Sequence, residues 1–357
     1  MWLHLARLIR IFSNNLRYRR YRSVILGIVL TFIIYGAFLV SEDEAFSKVS
    51  VSDILNYTRQ EKRLPNGILI HPKRQCSTRC SQKTVITVIS RTSHKDQRKV
   101  IRQTWGHLNM QRKYNFCLYF VVGTEDNIDI SDETNNGLGD IVQVNVSENY
   151  FRLTDKVFET FNWITNFCRE PRLFFKIDDD VYFDLDFLYE LQDESYPPDN
   201  ILIGNCKQST PVTREVSKYF TTFEEYPFDT YPPYCGGPGY LMTVNTAHKV
   251  FEEMLYTKKF KLEDAYIGLV LYRLGLNVRN IDNFIYALDK LDGYMQFFWI
   301  RCHRITHGLT SSNIQQLWER KSKDVPHNCL FWSRILYKLQ YLTSFIIDQG
   351  HDFTIST

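Results

Sequence analysis

From Thr84 onward the chain alternates β-branched runs with stretches of helical spacing, and this alternation restricts the fold of the 357 residues more than any other feature. Thr84-Val-Ile-Thr-Val-Ile-Ser90 reads as a buried strand. Arg98 to Trp105 follows with helical patterning, and Phe116 to Gly123 is a second strand ending in glycine. Asp140-Ile-Val-Gln-Val144 is a short third strand, and Leu153 to Phe167 sets apolar residues at helical spacing. Leu173-Phe-Phe-Lys-Ile177 is a fourth strand, and Leu185 to Leu191 returns to helix. Strands that alternate with helices pair in parallel and are covered on both faces. The expected fold is α/β with a mostly parallel sheet, whose ligands bind beyond the carboxyl ends of the strands.

Asp178-Asp179-Asp180 falls at such an end. Three adjacent carboxylates repel one another unless a cation or strong donors compensate. Oxygen ligands suit a hard divalent cation, Mn²⁺ or Mg²⁺. Asp178 and Asp180 share a face if strand geometry persists through them. The plainer alternative is a solvated acidic turn. Glu263-Asp264 opens an apolar helical segment, where acids complement the helix dipole; the sharper alternative is a general base near the metal. Tyr231-Pro-Pro-Tyr-Cys-Gly-Gly-Pro-Gly-Tyr240 is a rigid turn followed by glycines, which let backbone approach a ligand closely. Arg98, Arg102 and Trp105 share one helix, where arginine suits phosphate and tryptophan suits stacking, or where the pair is a solvated basic face with one core aromatic. His307 on its own reads as structural. No GxxxxGK[ST] sequence occurs, which excludes P-loop chemistry.

The N-terminal region carries a different signal. Val24 to Val40 is a run of 17 uncharged residues, at the short end of the ~17–25 that span a bilayer. Six arginines and no acid precede it, and Glu42, Asp43 and Glu44 follow. Positive residues stay cytosolic, so residues 1–23 are expected as a cytosolic tail, 24–40 as the anchor, and the bulk of the chain as luminal. A cleaved signal peptide is the rival, but the n-region is long and no small-x-small site follows. Without those arginines the chain holds 37 basic against 40 acidic residues, which argues against a nucleic-acid binder. Residues 41–83 lack periodicity and read as a stem, 84–320 as the catalytic domain, and 321–357 as a C-terminal extension with a mildly amphipathic stretch from 331. Eight cysteines in an oxidising lumen imply disulfides of unassigned pairing. Cys76-x-x-x-Cys80 lacks a second ligand pair at zinc spacing. Asn56-Tyr-Thr58 and Asn145-Val-Ser147 are glycosylation acceptors if luminal.

Taken in order, these segments resemble the beta-1,3-galactosyltransferase family, with its beta-1,3-N-acetylglucosaminyltransferase relatives. The resemblance rests on Arg98-x-x-Ile-Arg102-x-Thr-Trp105, Phe120-Val-Val-Gly123, Glu133 with Gly139-Asp140-Ile141, and Leu153-Thr154 with Lys156. It continues through Lys176-x-Asp-Asp-Asp-Val181, Tyr231-Pro-Pro-Tyr-Cys235 with Gly236, Gly237 and Gly239, Glu263-Asp264, and the His303/His307 region with Trp318. Three positions depart from the family pattern: Arg152 stands where an Asn is usual, Pro238 interrupts the glycines, and Ala265 replaces Val.

The resemblance implies a GT-A type fold preceded by one transmembrane helix and a stem, in a Golgi type II membrane protein. It implies a UDP-sugar donor, galactose favoured over N-acetylglucosamine, a Mn²⁺-type metal, and a glycan acceptor on lipid or protein. It places Asp178, Asp180 and His307 at the metal and Asp264 as the base that takes the acceptor 3-hydroxyl proton, with inversion to a β-1,3 linkage. Ser90, Arg91, Arg98, Arg102, Lys156, Asp178 and Asp179 are the expected donor contacts. Trp105, Tyr234, Gly236, Gly237 and Glu263 are expected at the sugar and acceptor pocket. Two other classes compete: a non-catalytic luminal glycan-binding module with the same fold, and a metal-dependent phosphotransferase or hydrolase.

Overall fold

The computed structural model describes residues 51–321 apart from 74–75, 77–79, 81–83, 136, 192–196, 282–283 and 288–302. The strands are β1 (Ile68–Ile70), β2 (Thr84–Ile89), β3 (Phe116–Thr124), β4 (Ile141–Ser147), β5 (Leu173–Asp178), β6 (Tyr182–Phe183), β7 (Ile201–Lys207), β8 (Thr210–Pro211), β9 (Thr230–Tyr231), β10 (Tyr234–Thr243), β11 (Asn277–Asn280), β12 (Ile285–Ala287) and β13 (Ile305–His307). The helices are α1 (Val51–Tyr57), α2 (Lys95–Gln103), α3 (Leu108–Lys113), α4 (Ser131–Asn135), α5 (Leu153–Phe167), α6 (Asp186–Leu191), α7 (Val244–Met254), α8 (Glu263–Arg273) and α9 (Ser311–Lys321). The strands and helices expected between Thr84 and Leu191 all form, with ends shifted by a few residues.

The central sheet has eight strands in the order β1-β4-β3-β2-β5-β10-β7-β11. Pairing is parallel from β4 through β5. It turns antiparallel at β10, which pairs with both β5 and β7. The expected parallel sheet is therefore its central part, in a mixed α/β fold. A small sheet, β12-β13-β6, packs beside it.

Both faces of the central strands are apolar, which is why they read as continuous runs without alternation. Ile86 and Val88 of β2, Leu118 and Phe120 of β3, and Phe175 and Ile177 of β5 face one core with Trp105, Phe183, Ile305 and Ile314. Their neighbours face α5: Phe174 packs edge-on against Phe161, and Tyr119 against Trp163. Every residue from Thr154 to Thr165 is buried, because α7 packs against the outer side of α5 through Phe158 and Phe251.

Residues 51–73, expected as stem, are part of this packing. β1 extends the central sheet by pairing with β4. Arg273 donates to the Leu55 carbonyl at 2.7 Å and to Thr58 Oγ1 at 2.9 Å. Arg63 reaches the buried Asp155 at 2.6 Å, and the Asn66 amide donates to Glu159 Oε1 at 2.6 Å. Main-chain bridges and ion pairs to distant segments fasten it, together with single apolar contacts such as buried Ile54 and Tyr57 edge-on to Phe228, so no hydrophobic period marks it. The expected boundary at 84 moves toward the N-terminus, to residue 51 at the latest.

Three disulfides join Cys76 to Cys168, Cys80 to Cys117, and Cys206 to Cys235, which rules out zinc at Cys76 and Cys80. Among the described residues no helix is long and apolar enough to cross a membrane. The expected tail, the anchor at 24–40, the extension beyond 321, Cys302 and Cys329 lie outside the described residues.

Candidate active site

β2 has β3 on one side and β5 on the other, so the chain leaves the sheet in opposite senses at their shared carboxyl end, where open α/β sheets bind ligands. Ile89 pairs with Asp178 there, and Ser90 and Asp179 follow. Strand geometry stops at Asp178, and Asp179 and Asp180 enter a turn. The expected common strand face for Asp178 and Asp180 is therefore lost, and the three carboxylates take different partners. Asp179 is buried, accepts from Ser90 Oγ at 2.7 Å, and meets His94 Nδ1 at 2.8 Å. That hydrogen bond raises the His94 imidazole above its ordinary value. Asp178 stays partly exposed and accepts from Lys176 Nζ at 2.7 Å. Asp180 is pushed up to about 6, first by burial and then by the charges of Asp178 and Asp179, although the Gly308 amide donates to it.

Lys176 connects these acids to a second group. Its side chain is fully buried, yet Asp178 and Glu263 keep it charged against the cost of burial. Its ammonium donates to the Gly237 carbonyl at 2.5 Å, lies 3.6 Å from Glu263 Oε2, and sits over the Tyr240 ring at 5.5 Å. Tyr240 opposes Lys176 across the ladder and donates to Glu263 Oε1 at 2.5 Å. Burial pushes Glu263 up to about 7, against the pull of Lys176. Asp264 is the second residue of α8 and remains partly exposed. Burial raises its carboxyl, opposed by the Ala265 and Gly237 amides and by Lys176. At Gly237 a Cβ would make ordinary contact, 3.5 Å from Glu263 Oε2 and 3.9 Å from Asp264 Oδ2, so the loop runs directly against the acidic turn. Gly268, one turn on, admits no side chain, since its Cβ would sit 2.4 Å from that of Tyr234. Gly268 lets α8 press against Pro233 and Tyr234, which brings its acidic first turn to the loop. Tyr234 and Gly236 open β10 beside it.

Several expected donor contacts are instead braces. Arg98 is fully buried and spends its guanidinium on Glu133, Ser90 Oγ and the carbonyls of Arg91 and Thr92. Arg102 holds Glu133 and Asp140 and lies over Phe120. Burial would raise Glu133, and the hydrogen bonds from the two arginines more than reverse this. The helix face that reads as basic is thus turned inward onto acids distant in sequence. Ser90 is likewise consumed, its hydroxyl by Asp179 and Arg98 and its carbonyl by Lys156 at 3.0 Å. Lys156 also pairs with Glu148 at 2.5 Å, and burial lowers its ammonium. Arg91 alone among these cations is open to solvent, with Glu125 at 3.7 Å. Trp105, expected in the sugar pocket, is fully buried in the core and donates to the Val181 carbonyl at 3.0 Å, bracing the turn behind the aspartates. Asn56 and Asn145 are exposed.

Arg98→Met is accordingly expected to destabilise the fold by about 3–5 kcal/mol, the cost of breaking a buried pair from one side, read by chemical denaturation. A stable variant that had lost only UDP affinity would restore the direct-contact reading.

His94, Glu148 and Tyr240 escape the sequence reading, and so does Lys176 as a member of the site. Lys176 had a signal: a lysine inside an apolar strand, two residues before Asp178, lies on that carboxylate's face. His94, Glu148 and Tyr240 had none. The expected metal set is only partly gathered. His307 ends β13, next to the Gly308 amide that holds Asp180. Among the described residues, the one trio of potential ligand atoms within 4.8 Å of each other is Cys76, Cys80 and Cys117, all disulfide-bonded.

Residues 96–282 match the model of the galactosyltransferase family. The chain belongs to that family. Human beta-1,3-galactosyltransferase 5 is 31% identical over 211 residues, covering 57% of this chain and 68% of the relative. The mouse protein of that name is 31% identical over 259 residues, covering 70% and 83%. Human UDP-GalNAc:beta-1,3-N-acetylgalactosaminyltransferase 1 is 29% identical over 260 residues, covering 67% and 75%. The family match spans both acidic centres, from α2 through α8, and ends before His307.

Proposed function

We propose that this chain is a GT-A type, metal-dependent, inverting transferase that moves galactose or an N-acetylated hexosamine from a UDP-sugar to the 3-hydroxyl of an acceptor glycan. The observation that carries it is the pairing of two acidic centres through one buried lysine: Asp178 at the end of β5 and the Glu263-Asp264 turn of α8, joined by Lys176. Family membership and the names of the relatives support the transfer of galactose or N-acetylgalactosamine. The proposal also keeps the anchor at residues 24–40 and a luminal, Golgi-side domain, which the exposed sequons and disulfides favour.

The donor set fits a hard divalent cation, Mn²⁺ or Mg²⁺. Asp180 is crowded by two like charges, and a bound cation would relieve the rise in its pKa. One or two protein carboxylates suffice when substrate phosphates complete the shell, so a tight three-residue cluster is not required. Asp180 would hold the ion, with Asp178 and His307 beside it. When bound, the ion would supply Lewis-acid stabilisation of the leaving diphosphate. Asp264 takes the proton of the attacking hydroxyl as the new bond forms on the face opposite the leaving group. Lys176 holds the Gly237 carbonyl, and Tyr240 and Glu263 hold Lys176, so the base and the glycine loop keep one relative position. Ser90, Arg98, Lys156 and Asp179 fix the β2 end, and Arg91 faces the donor.

Incubating the full chain in detergent with Mn²⁺, a panel of UDP-sugars and β-linked acceptors tests the proposal. UDP release with a new β-1,3 glycoside is expected. Phosphate release without a glycoside would favour the hydrolase class, and glycan binding without turnover of any UDP-sugar would favour the non-catalytic module.

A further inference from the structure

Far from the acidic centres, the central sheet ends in an open edge. β1 pairs with β4 on one side, and among the described residues no strand pairs with its other side. Open edges template pairing with other chains, and folded proteins cover or charge them. This one carries apolar side chains: Leu69 is 52% exposed, and Leu64, shortly before the strand, is 73% exposed. Asn145 of β4 meets the start of this edge. Its backbone amide donates to the Gly67 carbonyl at 3.0 Å, and its side-chain Nδ2 donates to the Asn66 carbonyl at 3.3 Å. Asn66 is pinned in turn, since its amide donates to Glu159 Oε1 at 2.6 Å. Strand alternation buries Val144 and Val146 and leaves Asn145 and Ser147, the ends of the Asn-Val-Ser sequon, exposed. Gly67, opposite Asn145, has a φ of +100°, and a Cβ there would meet no atom within 4 Å. The space beside the asparagine side chain is therefore open.

We propose that Asn145 carries an N-linked glycan that lies over Gly67 and covers the apolar edge of β1, so that an oligosaccharide stands where a neighbouring strand would otherwise pair. This inference rests on the luminal placement proposed above and says what one modification does there. Attachment joins Nδ2 to the anomeric carbon of a diphosphate-linked oligosaccharide. The bond from that carbon to the diphosphate oxygen breaks, the diphosphate leaves with the electron pair, and the amide loses one proton. An asparagine amide has two N–H groups, so the one that remains still donates to the Asn66 carbonyl and holds the glycan root at the start of β1. From there Leu64 lies two residues before Asn66, and Leu69 two residues after Gly67. Sugar rings offer C–H faces to such side chains and hydroxyls to water, which makes the cover bulky and soluble. Asn56 is also exposed but stands on the helix α1, which has no edge to cover.

The test uses the full chain made in a secreting eukaryotic host and purified in detergent, with particle size read by light scattering and site occupancy by peptide mass. Asn145→Gln keeps an amide for the Asn66 carbonyl but takes no glycan, and it is expected to shift to larger species. Asn56→Gln is expected to keep the wild-type size. Leu69→Lys added to Asn145→Gln should restore that size, because a charged edge resists pairing; the rescue also shows that the asparagine variant still folds. Enzymatic removal of the glycan from the already folded wild-type chain should give the same shift as Asn145→Gln. Two results would overturn the proposal: Asn145→Gln of wild-type size, or an unmodified Asn145 in a chain whose Asn56 is glycosylated. A chain with neither asparagine modified and its cysteines reduced would overturn the luminal placement itself, so the two failures are told apart.

Discussion

Asp264→Asn is expected to lower kcat by roughly 10²–10⁴-fold, the usual contribution of a positioned general base, while UDP affinity stays unchanged. Asparagine keeps the shape and can still accept from the Ala265 and Gly237 amides, so the turn against the glycine loop should persist. What disappears is the capacity to take a proton. Burial raises this carboxyl above the ordinary aspartate value. A base works only when deprotonated, so in the native chain transfer should fall as pH drops through that raised pKa, above the range where an exposed aspartate titrates. In the asparagine variant this acid limb should be missing from the residual rate. Measuring kcat against pH for both proteins, with UDP binding by calorimetry, separates the outcomes. Loss of UDP binding in Asp264→Asn would remove the base assignment, because the residue would then be holding the donor site together.

Asp180→Ala is expected to abolish the Mn²⁺-dependent part of UDP binding. Asp180 is raised to about 6, first by burial and then by the charges of Asp178 and Asp179. A carboxylate must shed its proton to ligate, so protons and cation compete for it. In the native chain, Mn²⁺-dependent UDP affinity should weaken as pH falls through about 6, and the variant should lack that transition. Removing the charge also relieves Asp178 and Asp179, so the fold should tolerate the change. Full activity of Asp180→Ala in the presence of chelator would refute the metal assignment.

The sequence was most informative where physics is local. The helix Leu153–Phe167 and the strand carrying the aspartates were legible because periodicity and β-branching are properties of neighbours. The acid run was legible because three like charges together need an explanation. Roles that depend on distant partners were not. Arg98 and Arg102 look like phosphate ligands until Glu133 and Asp140, more than thirty residues on, are seen to claim them. Trp105 looks like a stacking platform until the core closes over it. The stretch at 51–73 looks like a tether because its attachments, Arg63 to Asp155 and Arg273 to Thr58 among them, join segments that no window of the sequence spans together. Lys176 was the one central residue that alternation alone reveals.

β10 departs from regular pairing with β7 between Cys235 and Tyr240. On one side of the irregularity the strand is pinned by the Cys206–Cys235 bond, and on the other the ladder to β5 resumes at Gly239. Gly236, Gly237 and Pro238 lie between these fixed points, over Lys176 and the acidic turn of α8. Pro238 is tolerated because a ladder interruption asks for no amide donor. On the proposed function, substitutions in these three positions are expected to recut the wall of the sugar pocket while the sheet on either side stays intact. The bulge therefore works as an insert clamped between two fixed points of the sheet, where a change of side chain meets the loop before it meets either ladder.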